Sequence, residues 1–257
     1  MFALNETKGS KISIVIPSLN EESGIEETLR SIPRRDLQTM GYEVEVLVVD
    51  GGSNDRTREI AEKLNTIVIL EPRRGYGIPL RTGFKKANGD IIVTADADHT
   101  YPLENVPDLI RILEKEGLEF LTTNRFSTQN EMSFRNRFGN ALIALMMRIL
   151  FNLKLTDSQS GMWVLRKRIL EKLVLKSNIP FSQEIKIEAC HFTKCKWKEV
   201  PIRYKTRRGK AKFGNWRVAL MLISSLFWKR LFRWEVKSKS AERFAQSFVT
   251  IISRNAG

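Results

Sequence analysis

Thiol and imidazole groups are scarce in this chain, with two cysteines and two histidines among 257 residues. Cys190 and Cys195 lie five apart on a stretch that reads as helix, a spacing that suits neither a local disulfide nor the usual zinc ligand pairs, so reduced thiols are expected. His99 and His191 have no partner at metal-ligand spacing and read as capping or packing residues, with His99 also a candidate neighbour of the acids beside it. Long apolar runs are missing too. The opening MFALNETKGSK holds no stretch of signal-peptide length, so a cytoplasmic origin is expected. The apolar run VALMLISSLFW, residues 218–228, falls short of the roughly 20 residues that a membrane span needs.

Acids are outnumbered, 29 against 43 Lys and Arg, for a formal net charge of +14. The imbalance is local: residues 194–239 hold fifteen Lys or Arg against two acids, Glu199 and Glu235, and so carry +13 of it. A basic block of this kind fits a phosphate-bearing partner, whether nucleic acid, lipid headgroup or phosphorylated substrate, unless it is only a solvated face. With 42% hydrophobic and 28% charged residues, the rest suits a globular domain with a sizeable core.

Short β-branched or apolar runs at 12–17, 44–50, 66–70, 90–96 and 118–123 read as buried strands. Helical patterns at 21–31, 55–64, 77–87 and 103–115 alternate with them. That order predicts an α/β fold, a mostly parallel sheet with helices on both faces, whose ligands bind beyond the carboxyl ends of the strands. The polar residues after each run are therefore the candidates. PSLNEE follows the first, where Pro17 ends the strand, Ser18 or Asn20 can cap a helix and Glu21 suits the helix dipole. VDGGSNDRT closes the second at Asp50, and a turn and cap account for it locally. ADADHTYP closes the fourth with Asp96 and Asp98 two apart, and two converging carboxylates repel unless a cation sits between them. A divalent metal relieves that repulsion and leaves coordination positions for a diphosphate, a reading favoured here over a helix cap.

Together IPSLNEE, VVDGGSNDRT, GYGIPLRTGF, DADHTYP and DSQSGMWVL, spread over about residues 11–213, resemble the successive signatures of glycosyltransferase family 2 and its GT-A (Rossmann-like) fold. Within that family the branch of polyprenyl-phosphate sugar synthases is the most similar. The resemblance implies that Pro17, Asn20, Glu21 and Asp50 hold the base and ribose of a nucleotide-sugar, that Asp96 lies by ribose and metal, and that Asp98 ligates Mg²⁺ or Mn²⁺ on the diphosphate. Arg81 is a further donor contact, and Gly75 and Gly77 read either as a phosphate cradle or as an ordinary loop before a helix.

The acceptor implied is the phosphate of a polyprenyl (dolichyl) lipid, ionised at neutral pH with a second pKa of ~6, so positive charge replaces a strong general base. The resemblance gives that charge to Arg125 and to one of Arg135 and Arg137. It adds Arg208 and Lys212 from a loop of pattern R-x-G-x-S-K, where Ala211 replaces the serine. Asp157, with Ser160 and Gly161, is placed near sugar and acceptor phosphate, orienting an arginine or the sugar. Gln183 and Glu184 begin a helix expected along the sugar pocket.

Phe138, Leu142, Leu145, Ile149 and Leu153 recur at helical spacing within 134–153, an amphipathic helix for an interface or a core. The run at 218–228, flanked by Arg217, Trp216, Trp228 and Trp234, suits a helix lying among lipid headgroups. The expected organisation is a catalytic domain over 1–213 and a basic membrane-associating helical tail over 214–257, on the cytoplasmic face of a membrane. GDP-mannose is the first donor expected, with UDP-glucose and UDP-N-acetylglucosamine open. A saccharide hydroxyl as acceptor would recruit Glu184 or Asp157 as base. No nucleic-acid partner is expected, because that reading leaves the aspartate pair without a purpose.

Overall fold

The computed structural model describes residues 10–126, 134–207 and 216–232, with nothing said of the side chains of 134–136 and 216–220. Seven strands form one sheet in the order β3-β2-β1-β4-β6-β5-β7. β1 (Lys11–Ser18), β2 (Glu43–Asp50), β3 (Ile67–Leu70) and β4 (Ile91–Thr94) run parallel. β5 (Phe120–Asn124) and β7 (Trp197–Pro201) pair in parallel, and β6 (Trp163–Arg166) lies antiparallel between β4 and β5. The expected mostly parallel sheet is present, and β6 and β7 are additions to it. Pro17 does not stop β1, which continues to Ser18. Pairing with β4 has already ended at Val15 and Thr94, so the missing Pro17 N–H is not needed on that side.

Alternation along β1 and β2 sorts their side chains onto two faces. Ile12, Ile14, Ile16, Val46 and Val48 pack with Ile25 and Leu29 of α1 (Ile25–Arg30), Leu37 of α2 (Arg34–Thr39) and Leu109, Ile110 and Leu113 of α5 (Val106–Lys115). Val15 and Val49 face α4 (Gly77–Lys86), α6 (Phe134–Phe151) and α7 (Phe181–Lys186), meeting Leu80, Phe84, Met147 and Phe181. α3 (Thr57–Lys63) follows the β2 turn. A π-helical turn, Ile187–Phe192, continues α7, and α8 (Trp216–Phe232) packs beside α6 with Leu226 in the core.

Two expectations about packing change. Phe138, Leu142, Leu145 and Ile149 are exposed, while Ile143, Ala144, Met147 and Phe151 are buried, so α6 is apolar on both sides and the stripe read in the sequence faces outward. Leu153 is buried beyond the helix end. Cys190 and Cys195 are reduced as expected. Burial first, and then the neighbouring Cys195 thiol, push the Cys190 pKa up.

Candidate active site

The parallel strands β1, β2, β4 and β5 deliver their last residues to one edge of the sheet. Because β6 is antiparallel, it starts there, with Trp163 opposite Thr122. β7 ends there at Pro201, and residues 202–207 follow. The topology thus brings six segments to one crevice.

On the β1–β4 side the acids shape their own turns. Asp50 accepts the N–H groups of Gly52 (3.0 Å) and Ser53 (2.9 Å), and Ser53 Oγ donates to it as well. Asn20, in a left-handed backbone with φ 51°, accepts the Asn54 N–H through Oδ1 at 2.8 Å and so ties the β1 loop to the β2 turn. Glu21 donates its backbone N–H to Thr57 Oγ1 at 2.8 Å. Gly24 lies on the backbone of Ala97 and Asp98, where a Cβ would meet Asp98 Cα at 2.9 Å, so a bare glycine permits this approach.

Asp98 is buried and accepts the Thr100 N–H (3.2 Å) and hydroxyl (2.6 Å) on Oδ1. Its Oδ2 is 2.8 Å from Arg207 Nη1, and Arg207 Nη2 is 3.0 Å from Glu21. Asp96 accepts the Tyr76 hydroxyl at 3.1 Å. Burial first, and then the Asp98 carboxylate, raise the Asp96 pKa well above the usual carboxylate range. The pair therefore has the chemistry for Mg²⁺ or Mn²⁺: hard carboxylate oxygens whose repulsion a divalent cation relieves. Among the described residues no third His, Cys, Asp or Glu groups with them. Mg²⁺ commonly takes one or two carboxylates and completes its shell with water and substrate phosphate. His99 turns to Glu27, 3.9 Å away.

Gly161 joins the two sides. Its N–H donates to Tyr101 Oη at 2.6 Å, and a Cβ there would meet Tyr76 Oη at 2.6 Å and Asp96 Oδ1 at 3.6 Å. Tyr101 stands edge-on to Tyr204 at 5.3 Å, and the Arg125 guanidinium lies over the Tyr204 ring at 5.2 Å. Arg125 forms a two-pronged pair with Asp157, Nε to Oδ2 at 2.7 Å and Nη2 to Oδ1 at 2.9 Å, and Asp157 is wholly buried. Burial alone would raise Asp157, but Arg125 outweighs it and holds the carboxyl below its usual range. Asp157 Oδ1 also accepts the N–H groups of Gln159 and Ser160, both at 3.0 Å. Asn140 of α6 bonds Ser158 and Gln159 and secures the same loop.

Several expected contacts are directed elsewhere. Arg81 turns from the donor side to Ser177 O (2.5 Å) and Asn178 Oδ1 (2.7 Å), because α4 packs on that turn. The Gly77 N–H is taken by Asn178 O at 2.7 Å, which removes it from a phosphate cradle. Glu184 is buried, accepts the N–H groups of Lys176 (3.0 Å) and Ser177 (2.8 Å) and lies 3.3 Å from Lys229 Nζ. Buried Gln183 takes the Ser225 hydroxyl at 3.4 Å, facing α8. Arg137 is exposed, with its guanidinium 6.0 Å from the Phe126 ring beside a groove formed by Phe126, Phe138, Ala141 and Thr156. The side chain of Arg135, and Arg208 and Lys212 entirely, lie outside the described residues. Arg207, one residue before the expected Arg208, reaches the acids. The R-x-G spacing counted back from Gly209 points to Arg207, so the signal was present. Tyr76, Tyr101 and Tyr204 had none beyond their nearness to the motifs.

A family model described as glycosyl transferase family 2 matches residues 13–174. The chain is 32% identical over 202 residues to a dolichyl-phosphate hexose transferase of Haloferax volcanii, covering 78% of this chain and 86% of that one. It is 30% identical over 224 residues to the low-salt glycan biosynthesis hexosyltransferase Agl6 of the same organism. That match covers 83% of this chain but only 54%, about half, of the relative's length. Among solved structures, glucosyl-3-phosphoglycerate synthase from Mycobacterium tuberculosis, crystallised with Mn²⁺, uridine diphosphate and phosphoglyceric acid, superposes with a TM-score of 0.68. The identity is 22%, over 86% of this chain and 79% of that one, a likeness of fold.

Proposed function

Since the chain belongs to glycosyltransferase family 2, we propose that it transfers a hexose, with inversion, from a nucleoside diphosphate sugar to the phosphate of a polyprenyl lipid at a membrane surface. The observation that carries this reading is the convergence of acids and arginines beyond the strand ends, where Arg125 and Arg207 both bear on Asp96. Asp96 and Asp98 lie on one side, Arg125 on the other, and Arg207 reaches across to Asp98.

On this reading Asp96 and Asp98 hold a divalent cation at the donor diphosphate, while Asn20, Glu21 and Asp50 fix the loops that receive base and ribose. When bound, Mg²⁺ or Mn²⁺ neutralises charge on the departing diphosphate. Arg125, oriented by Asp157, receives the lipid phosphate, and Arg137, or Arg135 beside it, with Arg208 and Lys212, adds positive charge around it. A phosphate oxygen bonds to the anomeric carbon as the bond from that carbon to the nucleoside diphosphate breaks. No proton needs removal from an ionised phosphate. The engagement of the two candidate bases favours this acceptor over a saccharide hydroxyl, since Asp157 is bound to Arg125 and Glu184 to Lys229 and two N–H groups.

The helices support the membrane half of the reading. α6 exposes Phe138 (65%) and Ile149 (66%), and α8 exposes Trp228 (54%) and Leu231 (73%), beside the exposed cations Arg137, Arg148 and Arg230. Apolar side chains with tryptophan and flanking cations suit a helix lying in the headgroup region. No helix among the described residues is long and apolar enough to cross a membrane. The test is incubation with Mn²⁺, dolichyl or undecaprenyl phosphate and a panel of labelled nucleotide sugars, GDP-mannose first. Label entering the organic phase, and lost on Asp98→Asn, is the expected result. Label that never leaves the aqueous phase with any donor would defeat the proposal.

A further inference from the structure

Behind the Arg125–Asp157 pair lies a lysine with no part in the transfer steps above. Lys186 ends α7 with its side chain wholly buried, 0% exposed, and its Nζ donates to the backbone oxygen of Asp157 at 2.7 Å. Four other groups bear on it from the elements around it. They are the Asp157 carboxylate, Arg125 at the end of β5, Glu199 on β7 and the Cys190 thiol one turn further along. Glu199 is part-exposed and accepts the N–H groups of Thr156 and Asp157, both at 2.9 Å.

Arg125 and Asp157 together carry no net charge, and a neutral pair is a poor attractor for a phosphate dianion. With Glu199 beside it the cluster would be net negative and repel that dianion, and the Lys186 cation removes the excess. Burying an ammonium with one strong hydrogen bond costs stability, and an apolar side chain of similar length would fill the same space without that cost. Packing therefore gives no reason for a lysine here, whereas the charge does.

We propose that Lys186 is a positioning residue for the acceptor phosphate, fixing the Asp157 loop and cancelling the Glu199 charge that would otherwise leave the ground behind Arg125 net negative. The inference rests on the reading of Arg125 as the phosphate anchor. It makes phosphate binding depend on pH in a window where Asp96, raised to about 7, also titrates, so the Lys186 contribution is the part of the profile that the variant loses. Burial lowers the Lys186 pKa to about 8, although Asp157 opposes the shift. Arg125 and the Cys190 thiol are raised well above their usual values, the hydroxyls of Tyr101 and Tyr204 are raised too, and Asp157 is lowered. The lipid phosphate, with a second pKa of ~6, is mostly dianionic from the lower end of that range.

The test measures calorimetric binding of farnesyl phosphate, a short polyprenyl phosphate, to the full chain in detergent between pH 7 and pH 9.5, with farnesol as the uncharged reference. Affinity for farnesyl phosphate should fall about tenfold across that range, the scale of one unit charge lost nearby, while farnesol binding stays level. Lys186→Met should bind farnesyl phosphate about tenfold more weakly at pH 7, show a clearly shallower fall with pH than the unaltered protein and melt no lower than it. A level profile in the unaltered protein, which requires no variant to fold, would overturn the inference, as would Lys186→Met binding within about twofold of it at pH 7. The double variant Arg125→Gln, Asp157→Asn separates the two readings. If it binds farnesyl phosphate normally, or if the unaltered protein shows no binding, the anchor itself falls and the inference with it. If it loses binding while the Lys186 tests stay level, the inference alone falls.

Discussion

On the β1–β4 side of the crevice, three carboxylates brace their own turns from within three residues, Asp50 by Gly52 and Ser53, Asp55 by Thr57 and Asp98 by Thr100, with longer-range contacts such as Tyr76 on Asp96 added to them. On the β5–β7 side the partners come from far along the chain, with Asp157 on Arg125, Glu199 on Thr156, and Glu184 and Glu188 on Lys229. The first arrangement makes stiff turns whose outward oxygens face the crevice, where Arg207 bridges Asp98 and Glu21. The second cross-braces separate elements with buried ion pairs. Removing one partner there leaves a charge uncompensated, so the two sides should respond very differently to the same kind of substitution.

The largest loss of stability is expected at Asp157→Asn, which strands the Arg125 guanidinium, at about 3–5 kcal/mol in denaturant unfolding. In the unaltered protein the folded Asp157 pKa is depressed, so its contribution is complete above the ordinary value of 3.8 and is lost as pH falls through the folded value. Lys229→Met should cost about 3 kcal/mol by the same reasoning, since Glu184 and Glu188 are left buried and charged. Adding Glu184→Gln and Glu188→Gln should recover part of that loss, and no recovery would mean that α8 is held by packing alone. Trp228→Glu probes the exposed face of α8 and should lower binding to anionic vesicles about tenfold with the melting temperature unchanged. Asp55→Ala on the locally braced side removes an acceptor for the Thr57 N–H at the head of α3 and should cost only about 1 kcal/mol. A loss there as large as at Asp157 would erase the contrast.

The same contrast explains what the sequence disclosed. VDGGSNDRT and DADHTYP are readable because donor and acceptor lie within one turn, so residue types alone imply the geometry. Lys186 and Asp157 are 29 residues apart and Lys229 and Glu184 are 45 apart, and no local pattern announces such pairs. β6 has four residues, too few to declare its antiparallel sense, and β7, WKEVP, carries two charges and a proline that mask a strand. In α6 the periodicity was real, but a helix apolar on both sides does not say which side is buried. At Arg207 the R-x-G spacing counted back from Gly209 held the signal, and the fold shows that side chain reaching Asp98.

The most direct measurement compares a polyprenyl phosphate with the matching polyprenol as acceptor, using whichever labelled nucleotide sugar proves active. A crevice that supplies arginines, with Asp157 held by Arg125 and Glu184 by Lys229, should glycosylate the phosphate and leave the alcohol untouched. Equal transfer to both would contradict that account.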